Sequence, residues 1–189
     1  MSFKINQVNL DLHPECPFAS DRLRLLDVEH FNFNGDLLDG KLVVLDRVAV
    51  KVISIFKELK TVRFPIHQVK LIDHYHYNDD ESMAANNSSA FNFRNIANSD
   101  RLSMHSYGLA IDINPVQNPY LTIEENGIVK VHPSAGVDFL NRSNIRPGML
   151  ETVVHIFEKY GFTVWGGKWN NPIDYHHFEV PRSQVVNLV

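Results

Sequence analysis

The sequence predicts an α+β fold in which helices flank an antiparallel sheet. Two segments carry apolar residues at helical spacing, and several short apolar runs are bounded by Pro, Gly or Asn. These segments do not alternate in the regular βαβ order that is typical of parallel sheets. We therefore expect antiparallel strands and one compact domain, for which 189 residues with 44% hydrophobic content are sufficient.

The first 45 residues mix short apolar pieces with Asp, Asn and Gly. This mixture predicts turns and short strands, the last of them at KLVV (41–44). From Leu45 to Leu59 the apolar residues recur at helical spacing, and Asp46 stands where a cap or first-turn acid is favoured. The sequence therefore predicts an amphipathic helix over 45–59.

The middle of the chain combines one alternating run with one polar run. Residues 69–77 (VKLIDHYHY) alternate apolar and polar side chains, which predicts a strand covered on one face. Residues 78–103 are rich in Asn, Ser and Asp. We expect these residues to form mostly a surface loop, since so many polar groups are hard to satisfy in a core, and long loops of this kind are often functional.

The second half of the chain predicts one helix and several short strands. Pro147 is favourable at a helix start, and the apolar spacing after it predicts a helix that ends at Gly161. The strand candidates are LAIDINP (109–115), GIVKVHP (127–133), FTVWGG (162–167) and HFEV (177–180).

Composition excludes several classes of protein. The formal net charge of -4 provides no broad basic field, so nucleic acid is not expected as a partner. The one cysteine, Cys16, allows neither an internal disulfide nor a thiolate metal cluster. No run approaches the length of a membrane span, and the N-terminus lacks the pattern of a signal peptide, which leaves the compartment unknown.

The densest chemical signal is the segment SMHSYGLAID (103–112). If the residues around Asp112 form a strand, Gly108 allows the backbone to fold His105 back over the same face. One imidazole and one carboxylate could then bind the same metal ion.

A third ligand must come from another segment, and DYHHFE (174–179) offers two histidines and two acids. Two histidines and one carboxylate, with a fourth position left for water, are a ligand set of catalytic zinc sites. Spacing alone does not choose between His176 and His177, which would point to opposite faces of a strand. Asp174 is the natural general base, and Glu179 is a candidate to orient a ligand histidine; a solvated acid is the alternative for each.

These residues resemble a known family, the VanY-like zinc D-Ala-D-Ala carboxypeptidases and L-Ala-D-Glu endopeptidases, which share a fold with the hedgehog signalling domain. The family pattern SxHxxGxAxD is matched within 103–112. A second pattern, DxxHFE behind WGG, is matched by 174–179 behind 165–167. The likeness extends from about Phe31 to the C-terminus, which predicts a zinc peptidase domain over 31–189 and an N-terminal extension over 1–30 packed on it.

The resemblance implies roles for individual residues. His105, Asp112 and His177 correspond to the zinc ligands, and Asp174 to the catalytic base. An arginine near the substrate and transition state corresponds to Arg94, with Arg101 as a nearby alternative. Ser103 corresponds to a hydrogen-bonding residue of the substrate groove, with a plain loop serine as the alternative.

The chain departs from the family pattern after WGG, where Lys168 replaces a common acid. This replacement leaves the ligands intact and concerns the charge at the rim of the site. Trp165 and Trp169 are expected in the core and in the wall of the cleft.

The function that these patterns predict is zinc-dependent hydrolysis of peptidoglycan stem peptides by a monomer. Two alternatives belong to other classes. The first is a non-catalytic zinc-binding module on the same fold, and the second is a zinc hydrolase of another wall amide or of a small dipeptide. The sequence leaves open whether a C-terminal D-Ala or an internal bond would be cut.

Overall fold

The computed structural model describes residues 3–8, 13–97 and 99–189. Four α-helices are found within these ranges: α1 (Asp46–Thr61), α2 (Asp79–Ala84), α3 (Val154–Lys159) and α4 (Val185–Leu188). The strands of the same ranges are β1 (Lys4–Gln7), β2 (Leu23–Phe31), β3 (Leu37–Leu45), β4 (Gln68–Val69), β5 (Asn87–Ser88), β6 (Ala110–Asp112), β7 (Tyr120–Ile123), β8 (Val129–His132), β9 (Val164–Trp165), β10 (Ile173–Asp174) and β11 (His177–Glu179).

The strands form three antiparallel sheets of three strands each, in the orders β1-β2-β3, β10-β7-β8 and β6-β11-β9. A short fourth pair, β4 with β5, is parallel. The predicted α+β class with antiparallel sheets and flanking helices is confirmed. No helix of the described residues is long and apolar enough to cross a membrane.

Helix α1 confirms the predicted amphipathic helix. It begins at Asp46 and ends at Thr61, and its apolar residues lie in the core against β2. Five apolar residues at this helical spacing are buried: Val48, Val52, Ile55, Phe56 and Leu59. Burial of side chains of this size stabilises a fold by roughly 1.5–3 kcal/mol each, so this face anchors the helix.

The N-terminal strands are longer than predicted. Strands β2 and β3 have nine residues each and pair along their whole length, from Leu23 opposite Leu45 to Phe31 opposite Leu37. The turn between them contains Gly35 in a left-handed conformation. Strand β2 runs through residues 30 and 31, where the boundary between extension and domain was predicted, and that division stays a prediction.

The strand predicted over 69–77 is wrong except at its first residue, which belongs to β4. Residues Ile72–Tyr75 form a 3-10 helix, and His76 and Tyr77 then adopt left-handed conformations. Val69 and Ile72 are buried, and they are three positions apart. The alternation in the sequence did not correspond to alternation of burial, because the chain turns here.

The expected surface loop at 78–103 is also partly wrong, since it contains α2, β5 and a buried stretch from Asn86 to Ala90. The side-chain amide of Asn87 bonds both backbone groups of Lys70. Ser89 pairs through its backbone with Asp112, at 3.0 and 2.9 Å. These hydrogen bonds offset the cost of burying polar groups, which the polarity of the sequence alone does not reveal.

The second predicted helix is shorter than 147–161. Gly148 has φ +84, which does not occur inside a right-handed helix, so the helix does not start at Pro147; a Cβ at this position would also lie 2.5 Å from the ring of Phe33, which favours glycine here. A 3-10 turn covers Leu150–Thr152, and α3 follows from Val154. The predicted end is confirmed, because Gly161 has φ +90 after the last turn.

His30 on β2 generates a pH prediction for the fold. It is 2% exposed, and neither ring nitrogen has a hydrogen-bond partner in the described residues. Burial lowers its pKa to about 4. The unfolded chain therefore takes up a proton first, at about pH 6.5, and the folded chain only near pH 4, so stability falls between these values as pH falls, by at most about 3 kcal/mol.

We expect His30→Leu to reduce this loss, as measured by the urea midpoint at pH 7 and pH 5. His74→Leu, at an exposed histidine, is the matched control and is expected to follow the wild-type profile. An unchanged pH profile in His30→Leu would contradict the assignment.

Candidate metal centre

Three side chains from separate segments converge at one buried point. Nε2 of His105 lies 3.0 Å from Oδ2 of Asp112, and Nδ1 of His177 lies 3.0 Å from Oδ1 of Asp112. The two ring nitrogens are 3.1 Å apart. Among the described residues, this His105–Asp112–His177 cluster is the group of three donors close enough to hold one metal ion.

The pairing of β6 with β11 brings two of the three donors together. His177 is directly opposite Asp112 in the antiparallel register, so both side chains leave the sheet on the same face. Leu109 accepts from the backbone of Val180, which extends the pairing beyond both strands. The other side of Asp112 is held by Ser89, and the strand therefore has no freedom to shift register.

His105 is supplied by the 3-10 helix Met104–Tyr107. Ser103 is its N-cap, and its hydroxyl oxygen accepts from the backbone N–H of His105 at 3.3 Å. Gly108 ends the helix with φ +63 and lies so close to β3 that a Cβ would be 2.6 Å from the backbone nitrogen of Leu45. The glycine of the motif is thus required both by its conformation and by this close approach.

Hydrogen bonds fix which nitrogen of each ring faces the cluster. Nδ1 of His105 lies against the carbonyl oxygen of Ala90, which can only accept, so Nδ1 carries the hydrogen. Nε2 of His177 lies 3.0 Å from Oε2 of Glu179, which likewise assigns that hydrogen to Nε2. In the neutral rings, each nitrogen that faces Asp112 therefore carries a lone pair and no hydrogen.

This donor set fits a divalent metal. The two ring nitrogens lie 3.1 Å apart, and each lies 3.0 Å from a different carboxylate oxygen of Asp112; atoms with lone pairs at these distances repel one another unless a cation or a proton lies between them. A tetrahedral zinc ion with ligands at roughly 2.0–2.1 Å separates its ligand atoms by about 3.3 Å, close to the spacing found. The outer bonds to Ala90 and Glu179 are the kind that orient histidine ligands.

The electrostatics of the cluster also favour a cation. Burial opposes protonation of His177, but the hydrogen bonds to Asp112 and Glu179 raise its pKa to about 10. Burial opposes ionisation of Asp112 as well, yet the adjacent His105 and His176 hold the pKa of that carboxyl well below its usual range. The site therefore binds positive charge strongly, either as protons or as a metal ion.

Asp174 and His176 form a second buried pair beside the cluster. Nε2 of His176 lies 3.0 Å from Oδ1 of Asp174, without the alignment of a hydrogen bond, and 3.9 Å from Oδ2 of Asp112. Nδ1 of His176 donates to the carbonyl oxygen of Asn118 at 2.8 Å. Both carboxylates thus lie within 3.9 Å of one nitrogen atom, and burial raises the pKa of Asp174.

The structure assigns different positions to the two candidate histidines of DYHHFE. His177 begins β11 and joins the cluster, whereas His176 precedes the strand and turns its ring toward Asn118 and Asp174. The expected opposite orientations are not found, since both rings approach Asp112. Glu179 lies against the ring of His177, as expected if it orients a ligand histidine and not if it is a solvated acid.

A cavity of about 410 Å³ opens onto these side chains. Arg94 lines it and forms an ion pair with Asp79, with 2.7 Å between Nη2 and Oδ2. The Nε of Arg94 is buried and has no hydrogen-bond partner in the described part of the chain. Arg101 is exposed and is not part of the lining, so the structure brings Arg94 to the site and leaves Arg101 outside.

Aromatic rings form the walls as expected. Trp169 lines the cavity with its ring centroid 5.4 Å from that of His177, while Trp165 stacks on Phe178 in the core. Lys168 pairs with Glu158 at 2.9 Å. Its charge is therefore partly compensated outside the cavity.

Several residues around the site were missed by the sequence analysis. Asp79 holds Arg94, Tyr120 lies opposite Asp174 in the β7–β10 pair, and Arg182 lines the cavity. Asp79 and Tyr120 lie outside both motifs, and no local pattern points to them. Arg182 stands three residues after Glu179, and this proximity to the second motif was a usable signal.

The α+β fold and the convergent His/Asp/His cluster define a candidate metal-dependent hydrolase. The family model described as D-alanyl-D-alanine carboxypeptidase matches residues 97–180, a stretch that contains the cluster and Asp174 but not Arg94. The match confirms the predicted resemblance to VanY-like M15 peptidases over these residues. Comparison with curated proteins and with solved structures gives no match.

The cluster predicts a measurable zinc affinity. We expect one zinc ion per chain by isothermal titration, and a rise of the melting temperature with zinc concentration, because a ligand that binds only the folded state stabilises it. Glu179→Ala is expected to weaken zinc binding about 10- to 100-fold through loss of the bond to His177. Asp112→Asn is expected to weaken it more.

His155→Ala is the matched control, since His155 is exposed and does not belong to the cluster. Wild-type zinc affinity in Asp112→Asn would exclude the cluster as the binding site.

Proposed function

We propose that the chain is a zinc-dependent peptidase that hydrolyses D-amino-acid-containing stem peptides of peptidoglycan. The observation that carries this proposal is the position of Asp174, a buried carboxylate at the same cavity as the His105–Asp112–His177 cluster. A structural metal site needs no such additional carboxylate, whereas a hydrolytic site does. The family match supports the peptidase class, and the choice of D-amino-acid substrates rests on the family description.

His105, Asp112 and His177 would hold the zinc ion through Nε2, a carboxylate oxygen and Nδ1. When bound, zinc supplies Lewis acidity that polarises a carbonyl and lowers the pKa of water. Glu179 and the carbonyl of Ala90 keep the two rings in the orientation that presents their lone pairs.

Asp174 is the proposed general base. It would accept a proton from the attacking water and pass it to the leaving amine. Its raised pKa brings it closer to neutrality than an exposed aspartate and so makes the carboxylate a better base. Gly166 allows the backbone of Asp174 to approach closely, since a Cβ at Gly166 would lie 2.5 Å from the carbonyl oxygen of Asp174.

Arg94 is the proposed electrostatic group. Its ion pair with Asp79 fixes the guanidinium at the cavity wall, and its buried Nε is an unused donor in the described residues. A guanidinium so placed can stabilise the developing oxyanion or hold a substrate carboxylate. Ser103 lines the same wall, where its hydroxyl already caps the helix of His105.

We further propose that the protein acts as a monomer on the cell wall. A monomer suits a hydrolase that must reach an extended polymer. The two alternatives are a non-catalytic zinc-binding module and a zinc hydrolase of another wall amide or dipeptide. The presence of Asp174 in the cavity disfavours the first.

The decisive experiment treats purified stem peptides with the zinc-loaded protein and identifies the fragments by mass spectrometry. We expect one amide bond to be cut, with fragment masses that name it, and no cleavage after chelation. Asp174→Asn is expected to retain zinc and to lose about 100- to 10,000-fold in kcat, the usual effect of removing a general base. Stoichiometric zinc without cleavage of any stem peptide or D,D-dipeptide would contradict the proposal, and a muramoyl-L-Ala substrate would then separate another wall-amide hydrolase from the binding module.

Arg94→Gln tests the electrostatic role separately. We expect kcat to fall on the order of 100-fold or more, as for the removal of other oxyanion donors, with unchanged zinc affinity. Arg101→Gln makes the same change of net charge outside the cavity and should leave kcat within about twofold of wild type, by our estimate from the small effect of screened surface charges. Equal losses in both variants would refute a specific role for Arg94.

A further inference from the structure

Arg182 is a second arginine in the wall of the candidate active site. It follows β11, lines the same cavity as the metal cluster, and is half-buried. Its Nη1 donates to the carbonyl oxygen of Leu102 at 3.1 Å. The neighbouring Ser103 donates its backbone N–H to the carbonyl of Arg94 at 3.0 Å, so the two arginines are attached to adjacent points of one backbone strip.

The two arginines differ in their charge partners. Arg94 is paired with Asp79, which compensates its charge. Arg182 has no carboxylate within ion-pair distance among the described residues, although Asp79, Asp80, Asp174 and Glu179 line the same cavity. Leu102 is the one acceptor found there for its side chain. Most of its five N–H donors thus have no partner among the described residues.

A guanidinium with these properties suits a planar anion. Its fork of parallel N–H groups binds a carboxylate in a bidentate manner, and the bond to Leu102 reduces the entropy lost on binding. The acids of the cavity are engaged by Arg94, by histidines or by solvent, so a carboxylate brought by a ligand would meet Arg182 without a competing partner.

We propose that Arg182 binds a free carboxylate of the peptide substrate and so selects stem peptides that carry one near the scissile bond. The inference rests on the proposed function and deepens it, because it names a substrate feature that the site recognises. Arg182 would be a specificity-determining residue, separate from the metal ligands and from Asp174. Peptides in which this carboxylate is a carboxamide are then poor substrates.

The test compares synthetic pentapeptides of the L-Ala-γ-D-Glu-L-Lys-D-Ala-D-Ala type that differ by one carboxamide. One variant carries the amide at the α-carboxyl of D-Glu, and the other at the C-terminus. For the zinc-loaded wild-type protein we expect one of these amidations to lower kcat/KM about 10- to 100-fold, mainly through KM, as for the loss of a charge-assisted hydrogen bond.

Arg182→Gln is expected to lower kcat/KM for the unamidated peptide by the same factor. For the amidated peptide that the wild-type protein cuts poorly, it is expected to cause little further loss. Arg182→Lys should give an intermediate value, because it keeps the charge but loses the fork. Arg101→Gln is the matched control, since it removes one exposed positive charge outside the cavity. Equal losses for acid and amide in Arg182→Gln would show a structural role through Leu102 and overturn the proposal.

Binding distinguishes this proposal from the proposed function. In zinc-loaded Asp174→Asn protein, the dissociation constants of the acid and amide peptides are measured with and without Arg182→Gln. If the wild-type protein cuts no peptide, the proposed function fails, and these constants alone decide the role of Arg182. If the protein binds the acid peptide more tightly than the amide and Arg182→Gln abolishes this preference, the role of Arg182 is supported. Equal binding of the two peptides, or no binding of either, refutes it.

Discussion

The pairing of β6 with β11 is the constraint on which the site depends. It places His177 opposite Asp112, and a shift of one residue would turn one of the two donors to the other face of the sheet. The pairing of Asp112 with Ser89 on the opposite edge holds the same strand from the second side. The polar run that contains Ser89 therefore supports the strand that carries Asp112 of the metal cluster.

The concentration of buried polar groups at this point opposes folding. All five ionisable side chains are buried and at most 8% exposed: Asp112, Asp174, His105, His176 and His177. Their outward nitrogens are satisfied by Ala90, Asn118 and Glu179, while the inward atoms face one another. Burial of ionisable groups without full compensation costs several kcal/mol, and such cost is typical of sites selected for binding or catalysis rather than for stability.

The cavity contains charged groups of both signs. His105, His177 and Asp174 line it together with Arg94 and Arg182, and the two arginines are hydrogen-bonded to the neighbouring residues Ser103 and Leu102. Ser103 connects these parts, because its side chain caps the helix of His105 and its backbone bonds to Arg94. A change at Ser103 would therefore move the first ligand and the arginine together.

The sequence by itself determined the fold class, helix α1 and two donor positions, His105 and Asp112, and it narrowed the third donor to His176 or His177. Helical periodicity over 45–59 and the glycine at 108 have local physical causes. The two motifs place histidines and aspartates at a spacing that a purely structural role does not require. Sequence failed where burial depends on distant partners. The run at 69–77 turns instead of extending, and Asn86–Ala90 enter the core because Lys70 and Asp112 satisfy their polar groups.

Only the tertiary structure decided which histidine of the pair joins the cluster by geometry, which arginine reaches the cavity, and that a second arginine stands there without a carboxylate partner among the described residues. These facts concern distances between segments that are 12 to 88 residues apart, such as Arg94, Ser106 and Arg182. Local patterns carry no record of such distances, because hydrogen bonds and strand register between remote segments set them.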